Sequence, residues 1–141
     1  MDINRLDHLV LTVKNIQRTC DFYNQVLGMK VITFGEGRKA LQFGEQKINL
    51  HEAENEFDPK AKTPTPGSAD LCFITETAVH EVIQHVTSCH IPLEEGPIKR
   101  TGALGEITSI YIRDPDGNLI DFQLLISLKS KAPFDIRRVF F

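Results

Sequence analysis

No stretch of the chain approaches the ~20 consecutive apolar residues that a membrane-spanning helix requires, so pattern alone argues against a transmembrane segment. The opening, MDINRLDHLV, lacks the basic region, apolar run and small-residue cleavage site of a secretory signal, and a cytoplasmic protein is expected. A basic stripe is also missing. The formal net charge is −3, and the most basic stretch, KSKAPFDIRRVFF, is short, so nucleic acid is not an expected partner. Cysteine is scarce: Cys20, Cys72 and Cys89 make an odd count without a CxxC spacing. They fit reduced, partly buried thiols better than a disulfide framework. No HExxH or similar local metal motif occurs.

What remains is the composition of one ordinary globular domain: 141 residues, 41% hydrophobic and 25% charged. RLDHLVLTV nearly alternates apolar and polar residues, which marks a strand with one buried face. NIQRTCDFYNQVLG follows, with Ile16, Cys20, Tyr23, Val26 and Leu27 at helical steps, Asn15 as N-cap and Gly28 beyond the C-terminus. MKVITF, ALQFG and QKINLHEA read as strands, with GEGRK a turn. A proline-bearing connector, ENEFDPKAKTPTPGS, precedes a second round: strand ADLCFIT, helix AVHEVIQHVTSCH, extended IPLEEGPIK, loop RTGALG, strand EITSIYIRD, turn DPDG and strand NLIDFQLLI. The order β-α-β-β-β therefore occurs twice while the residues diverge. The expected class is α+β, built of paired βαβββ modules at about 5–57 and 68–126, joined by a linker at 58–67. These form a single domain over 1–126, and 127–141 is a C-terminal tail.

Alternation assigns faces. Leu6, His8, Val10 and Thr12 share one, opposite Asp7, Leu9, Leu11 and Val13. Asn49 goes with His51, Asp70 with Cys72 and Ile74, and Asp121 with Leu119 and Gln123. Strands of both modules thus carry potentially ligating side chains. Two histidines and one carboxylate would suit a divalent transition metal and leave positions open for substrate. The plain alternative is that His8 is a hydrogen-bonded strand histidine and Asp121 an edge carboxylate facing water. His80 and His85 lie between core positions of the second helix and are expected in solvent. His90 follows that helix, where a cation is favoured. Arg100 falls in KRTGALG, either a loop that closes over substrate or an ordinary hairpin connection. Glu94 and Glu95 read as surface charge. Tyr111 and Arg113 share a face, and Arg113 either meets an anionic substrate or pairs with a neighbouring acid.

The string LDHLVLTVKNIQRTCDFYNQVLGMKV resembles the opening of the vicinal-oxygen-chelate superfamily, hxHhxhxVxDhxxSxxFYxxxLGhxh. His8, Val13, Asp21 to Tyr23 and Leu27 to Met29 match. IYIRDPDGNLIDF resembles the family's closing hxhxDPDGNxhEh. The likeness runs from about Arg5 to Leu125 and is nearest to glyoxalase-domain-containing, lactoylglutathione-lyase-like proteins. It implies the glyoxalase / bleomycin resistance / dihydroxybiphenyl dioxygenase-like fold. It implies a divalent metal, zinc or nickel first and iron or manganese next, on His8, His51 and Asp121. Asp70 would be a fourth ligand or the base, and Asp121 and Asp70 the catalytic carboxylates. Asn49, Arg100, Tyr111 and Arg113 would contact substrate. The departures are aspartate at Asp121 where glutamate is usual, Asp70 where many members have histidine, and an alignment that leaves Asn49 and His51 both open for the fourth strand's ligand. The implied function is a metal-dependent lyase or isomerase acting on a small oxygenated substrate, a thiol adduct among the candidates, through a metal-stabilised enediolate. An Fe(II) dioxygenase and a non-enzymatic drug-binding protein are the rivals. A homodimer is expected.

Overall fold

The structure, a computed structural model, describes residues 1–124; the expected tail at 127–141 lies outside the described residues. The elements run β1 (His8–Val13), α1 (Ile16–Gln25), β2 (Lys30–Phe34), β3 (Arg38–Phe43), β4 (Gln46–Glu52), β5 (Asp70–Thr75), α2 (Val79–Ser88), β6 (Glu95–Gly102), β7 (Gly105–Arg113) and β8 (Leu119–Leu124). They form two four-stranded sheets, ordered β1-β4-β3-β2 and β5-β8-β7-β6. This is the paired βαβββ arrangement expected from the sequence.

The chain divides into two compact units. Among the described residues the first is Met1–Ala69 with Arg113–Leu119; the second is Asp70–Ile112 with Ile120–Leu124. In the first, β1 runs parallel to β4, while β3 is antiparallel to both β2 and β4. Helix α1 starts where the Asn15 side chain accepts from the Arg18 N–H at 2.9 Å. Beyond its end at Gln25, Gly28 takes a φ of +68°, which a side chain would resist. Residues of α1 contact β2, β3 and β4. The face of the sheet carrying Leu11, Val13, Leu41, Ile48 and Leu50 is buried, as are Cys20 and Tyr23 of the helix. The other face carries His8, Val10 and Thr12, and there Val10 stays 44% exposed. His8 thus sits on a core-like strand because one face of that strand is open.

The hairpin tip Asp114–Asn118 belongs to the first unit. Buried Asp114 accepts from the Tyr23 hydroxyl at 2.8 Å, the Asn118 side-chain amide at 2.8 Å and the N–H groups of Asp116 and Asn118 at 2.9 Å each. The DPDG turn of the sequence is therefore also an anchor for α1.

In the second unit Ile110, Ile112 and Ile120 are fully buried, along with Val82 and Val86 of α2. The face with Asp70, Cys72 and Ile74 is exposed on β5. Expectation and structure differ at Arg100. Instead of a six-residue loop, RTG continues β6, with Arg100 opposite Ile107 and Gly102 opposite Gly105. Only Ala103 and Leu104 make the turn. Regular pairing satisfies backbone groups that a loop would leave to water, and two residues suffice for an antiparallel hairpin. Arg100 is thus a strand residue and not part of a mobile cover.

Candidate functional site

In the first unit the open face has a polar floor. Asn49 and His51 alternate on β4 and are 6% and 3% exposed. Among the described residues neither Asn49 Oδ1 nor His51 Nδ1 has a hydrogen-bond partner. The other ring nitrogen of His51, Nε2, lies 3.4 Å from an Arg38 guanidinium nitrogen. Arg38 comes from the start of β3, beside the Gly35–Gly37 turn, and stacks with Phe34 at 5.0 Å and Phe57 at 4.6 Å. Phe57 also meets the His51 ring edge-to-face at 5.5 Å. The Lys47 ammonium lies 4.0 Å from the Phe34 ring centre. Such cation–aromatic contacts hold the cations against apolar surface without neutralising them. Burial and the Arg38 charge keep the His51 imidazole below its ordinary pKa. A cavity of about 260 Å³ opens beside it, lined by Val10, Thr12, His51, Pro59, Lys60, Ala61 and Pro64.

The second unit places Asp121 at 9% exposure and Ser109 at 0%. Burial pushes the Asp121 carboxyl up. Neighbouring Cys72 and Ser109 pull it down, the charge of Asp70 raises it and that of Arg100 lowers it. The Cys72 thiol is pushed up to about 12, first by burial and then by the Asp121 charge. Arg100 donates to the Tyr111 hydroxyl at 3.3 Å and approaches Glu95 at 3.4 Å. Tyr111 and Arg100 are thus brought together. Arg113 donates to the Gly117 carbonyl at 3.2 Å in the hairpin tip of the first unit.

The candidate metal ligands are placed differently. His8 is exposed and its Nδ1 lies 2.8 Å from Asp7 Oδ2. In the β1–β4 register His8 faces Lys47, while His51 faces Thr12. Four residues of strand therefore separate the two histidines, about 13 Å at ~3.3 Å each. His8 Nδ1 is engaged by Asp7 and His51 Nε2 by Arg38, so neither of these nitrogens is offered to a shared ion. The structure also sets a guanidinium against His51 Nε2, which opposes a dication there. Among the described residues, no three histidine, cysteine, aspartate or glutamate side chains converge enough to hold a metal. Within the first unit, His8 and His51 are turned to different partners and do not form a ligand pair for one ion. His80, His85 and His90 are exposed, as the helical spacing suggested for the first two. Sequence reasoning missed Arg38, Phe34, Phe57 and Lys60. The available signal was the GEG turn, which puts Phe34 and Arg38 opposite each other across a hairpin.

Residues 5–122 match the family model of the Glyoxalase/Bleomycin resistance protein/Dioxygenase superfamily. Virulence protein STM3117 of Salmonella typhimurium is 61% identical over 86% of this chain and 84% of its own length. Its crystal structure superposes with a TM-score of 0.88, covering 89% of this chain and 100% of that one at 59% identity. Glyoxalase domain-containing protein RDO1 of Mycosarcoma maydis is 53% identical over 86% of this chain and 68% of its own. An integron cassette protein of V. Cholerae, VCH_CASS1, has a TM-score of 0.86 at 58% identity, covering 88% of this chain and 97% of that one. With the motifs at His8, Asp21–Tyr23 and Asp114–Asn118 in their structural places, the chain belongs to the glyoxalase/bleomycin resistance protein/dioxygenase superfamily.

Proposed function

We propose that this chain binds a small oxygen-bearing molecule on the open faces of its sheets and does so without a resident metal. One observation carries the reading. The open face of the first unit holds two buried polar atoms without a hydrogen-bond partner among the described residues, Asn49 Oδ1 and His51 Nδ1. Each such atom costs about 1–3 kcal/mol when left unsatisfied, and a polar ligand would recover part of that cost. The metal expectation is set aside on donor geometry: His8 and His51 are held apart, and His51 faces Arg38.

A second reading has its own support. Asp121 is buried and its carboxyl pKa is raised, which suits a general base beside a carbonyl. On this reading Asp121, with Asp70 nearby, moves a proton between adjacent carbons of the ligand, as a lyase or isomerase of glyoxalase type would. A homodimer in the cytoplasm belongs to the proposal as well, and light scattering of the full chain tests the oligomer.

The experiment is a thermal-shift screen of small carboxylic acids, ketones, alcohols and thiol adducts, followed by proton NMR of each hit over hours with the protein. Stabilisation with an unchanged ligand supports binding. Deuterium exchange or conversion that disappears in Asp121→Asn supports the acid–base reading. No stabilisation by any compound contradicts both.

A further inference from the structure

We propose that the cavity beside His51 is selective for an oxyanion carried on a small apolar body, such as a carboxylate or phosphonate on a ring. This deepens the binding reading above and rests on it. The argument starts from an arginine. A guanidinium only donates hydrogen bonds, so the His51 Nε2 that faces Arg38 at 3.4 Å must be an acceptor. In a neutral imidazole the proton then lies on Nδ1. His51 Nδ1 is thus a buried N–H donor, and it has no partner among the described residues. Arg38 fixes the tautomer, and the tautomer makes His51 demand an acceptor.

The rest of the cavity agrees. Thr12 adds a hydroxyl, and Lys60 an ammonium whose nearest carboxylate, on Glu56, is 4.0 Å away. That distance is the outer limit of an ion pair, so the lysine keeps donors for a ligand. Of the charges that act on His51, Arg38 and Lys60 are positive and Glu56 is negative. Val10, Pro59, Ala61 and Pro64 supply the apolar wall. The volume of about 260 Å³ equals roughly nine waters at ~30 Å³ each, which suits a compact organic anion and not a large cofactor. A cation would meet Lys60, Arg38 and an N–H, all of the wrong sign.

The test uses the full chain labelled with ¹⁵N-histidine, with His51 assigned by the signal lost in His51→Gln. Long-range proton–nitrogen correlation should show His51 as the Nδ1–H tautomer before any ligand is added. Benzoate and phenylphosphonate should then shift Nδ1–H, and their relative affinities tell the two oxyanion sources apart. Benzylamine and benzyl alcohol should bind at least tenfold more weakly. Lys60→Met, a partly exposed position, should weaken benzoate about two- to fivefold while the Nδ1–H tautomer persists. Arg38→Met should release the tautomer. An Nε2–H tautomer in the parent overturns the inference, as does equal binding of benzyl alcohol. If neutral oxygenated ligands bind while benzoate leaves His51 unmoved, the anion assignment fails and the broader binding reading stands. If nothing binds, both fail.

Discussion

Replacing Tyr23 by phenylalanine probes the link between the first helix and the closing turn. The Tyr23 ring is 0% exposed and its hydroxyl donates to Asp114 Oδ2 at 2.8 Å. The substitution keeps the ring and removes one donor from a buried carboxylate. Three donors remain on Asp114, at 2.8 to 2.9 Å. A hydrogen bond to a charged group is worth about 1.5–3 kcal/mol, and partial compensation by the other three places the loss near 2 kcal/mol. For a chain of this length that corresponds to a fall in Tm of about 6–8 °C. The chain has no tryptophan, so far-UV circular dichroism in urea is the appropriate readout. Asp114→Ala should be far more damaging. It leaves the tyrosine hydroxyl, the Asn118 amide and two backbone N–H groups without their acceptor, a loss beyond about 4 kcal/mol. A Tyr23→Phe protein within 0.5 kcal/mol of the parent would refute the claim that this turn anchors α1.

Further outcomes follow from the same geometry. Gly96→Ala should cost at least about 2 kcal/mol in a thermal melt, because φ is +105° there and the new Cβ would lie 2.5 Å from the Ser109 carbonyl oxygen. Ile110→Ala, at a site with 0% exposure, should cost about 2–5 kcal/mol by urea titration. His51 has a folded pKa below its unfolded value, so its contribution to stability is complete above the unfolded value of 6.5 and is lost as pH falls through the lower folded one. Urea midpoints from pH 7.5 to 5 should therefore drop more steeply in the parent than in His51→Gln, by at most about 1.4 kcal/mol per pH unit. Equal slopes would contradict a neutral, desolvated His51.

The fold was largely legible because its signals are local. Alternation in RLDHLVLTV, the Asn15 cap, Gly28 and the DPDG turn each act within a few residues, and each appears where its spacing placed it. Arg100 was misplaced because glycine near a hairpin reads as a loop, whereas cross-strand pairing extended β6 through Gly102. The site was less legible. Face assignments correctly put His8, Val10 and Thr12 together, but they carry no register. The parallel β1–β4 pairing, which alone separates His8 from His51, is a tertiary fact. Arg38, Phe34, Phe57 and Lys60 meet His51 from a hairpin and a connector, and no period in the sequence marks them as one group. The partnership of Tyr23 with Asp114, 91 residues apart, was hidden for the same reason.

The account turns on whether ligand binding depends on a metal. The measurement is calorimetric affinity for one stabilising ligand before and after exhaustive chelation, with zinc, nickel, manganese and iron(II) then added back singly. An affinity unchanged within about twofold throughout is the predicted result, since donors such as His51 Nδ1–H belong to the chain itself. Binding that vanishes on chelation and returns with one of the four ions would contradict it and restore the metal to the centre of this protein's chemistry.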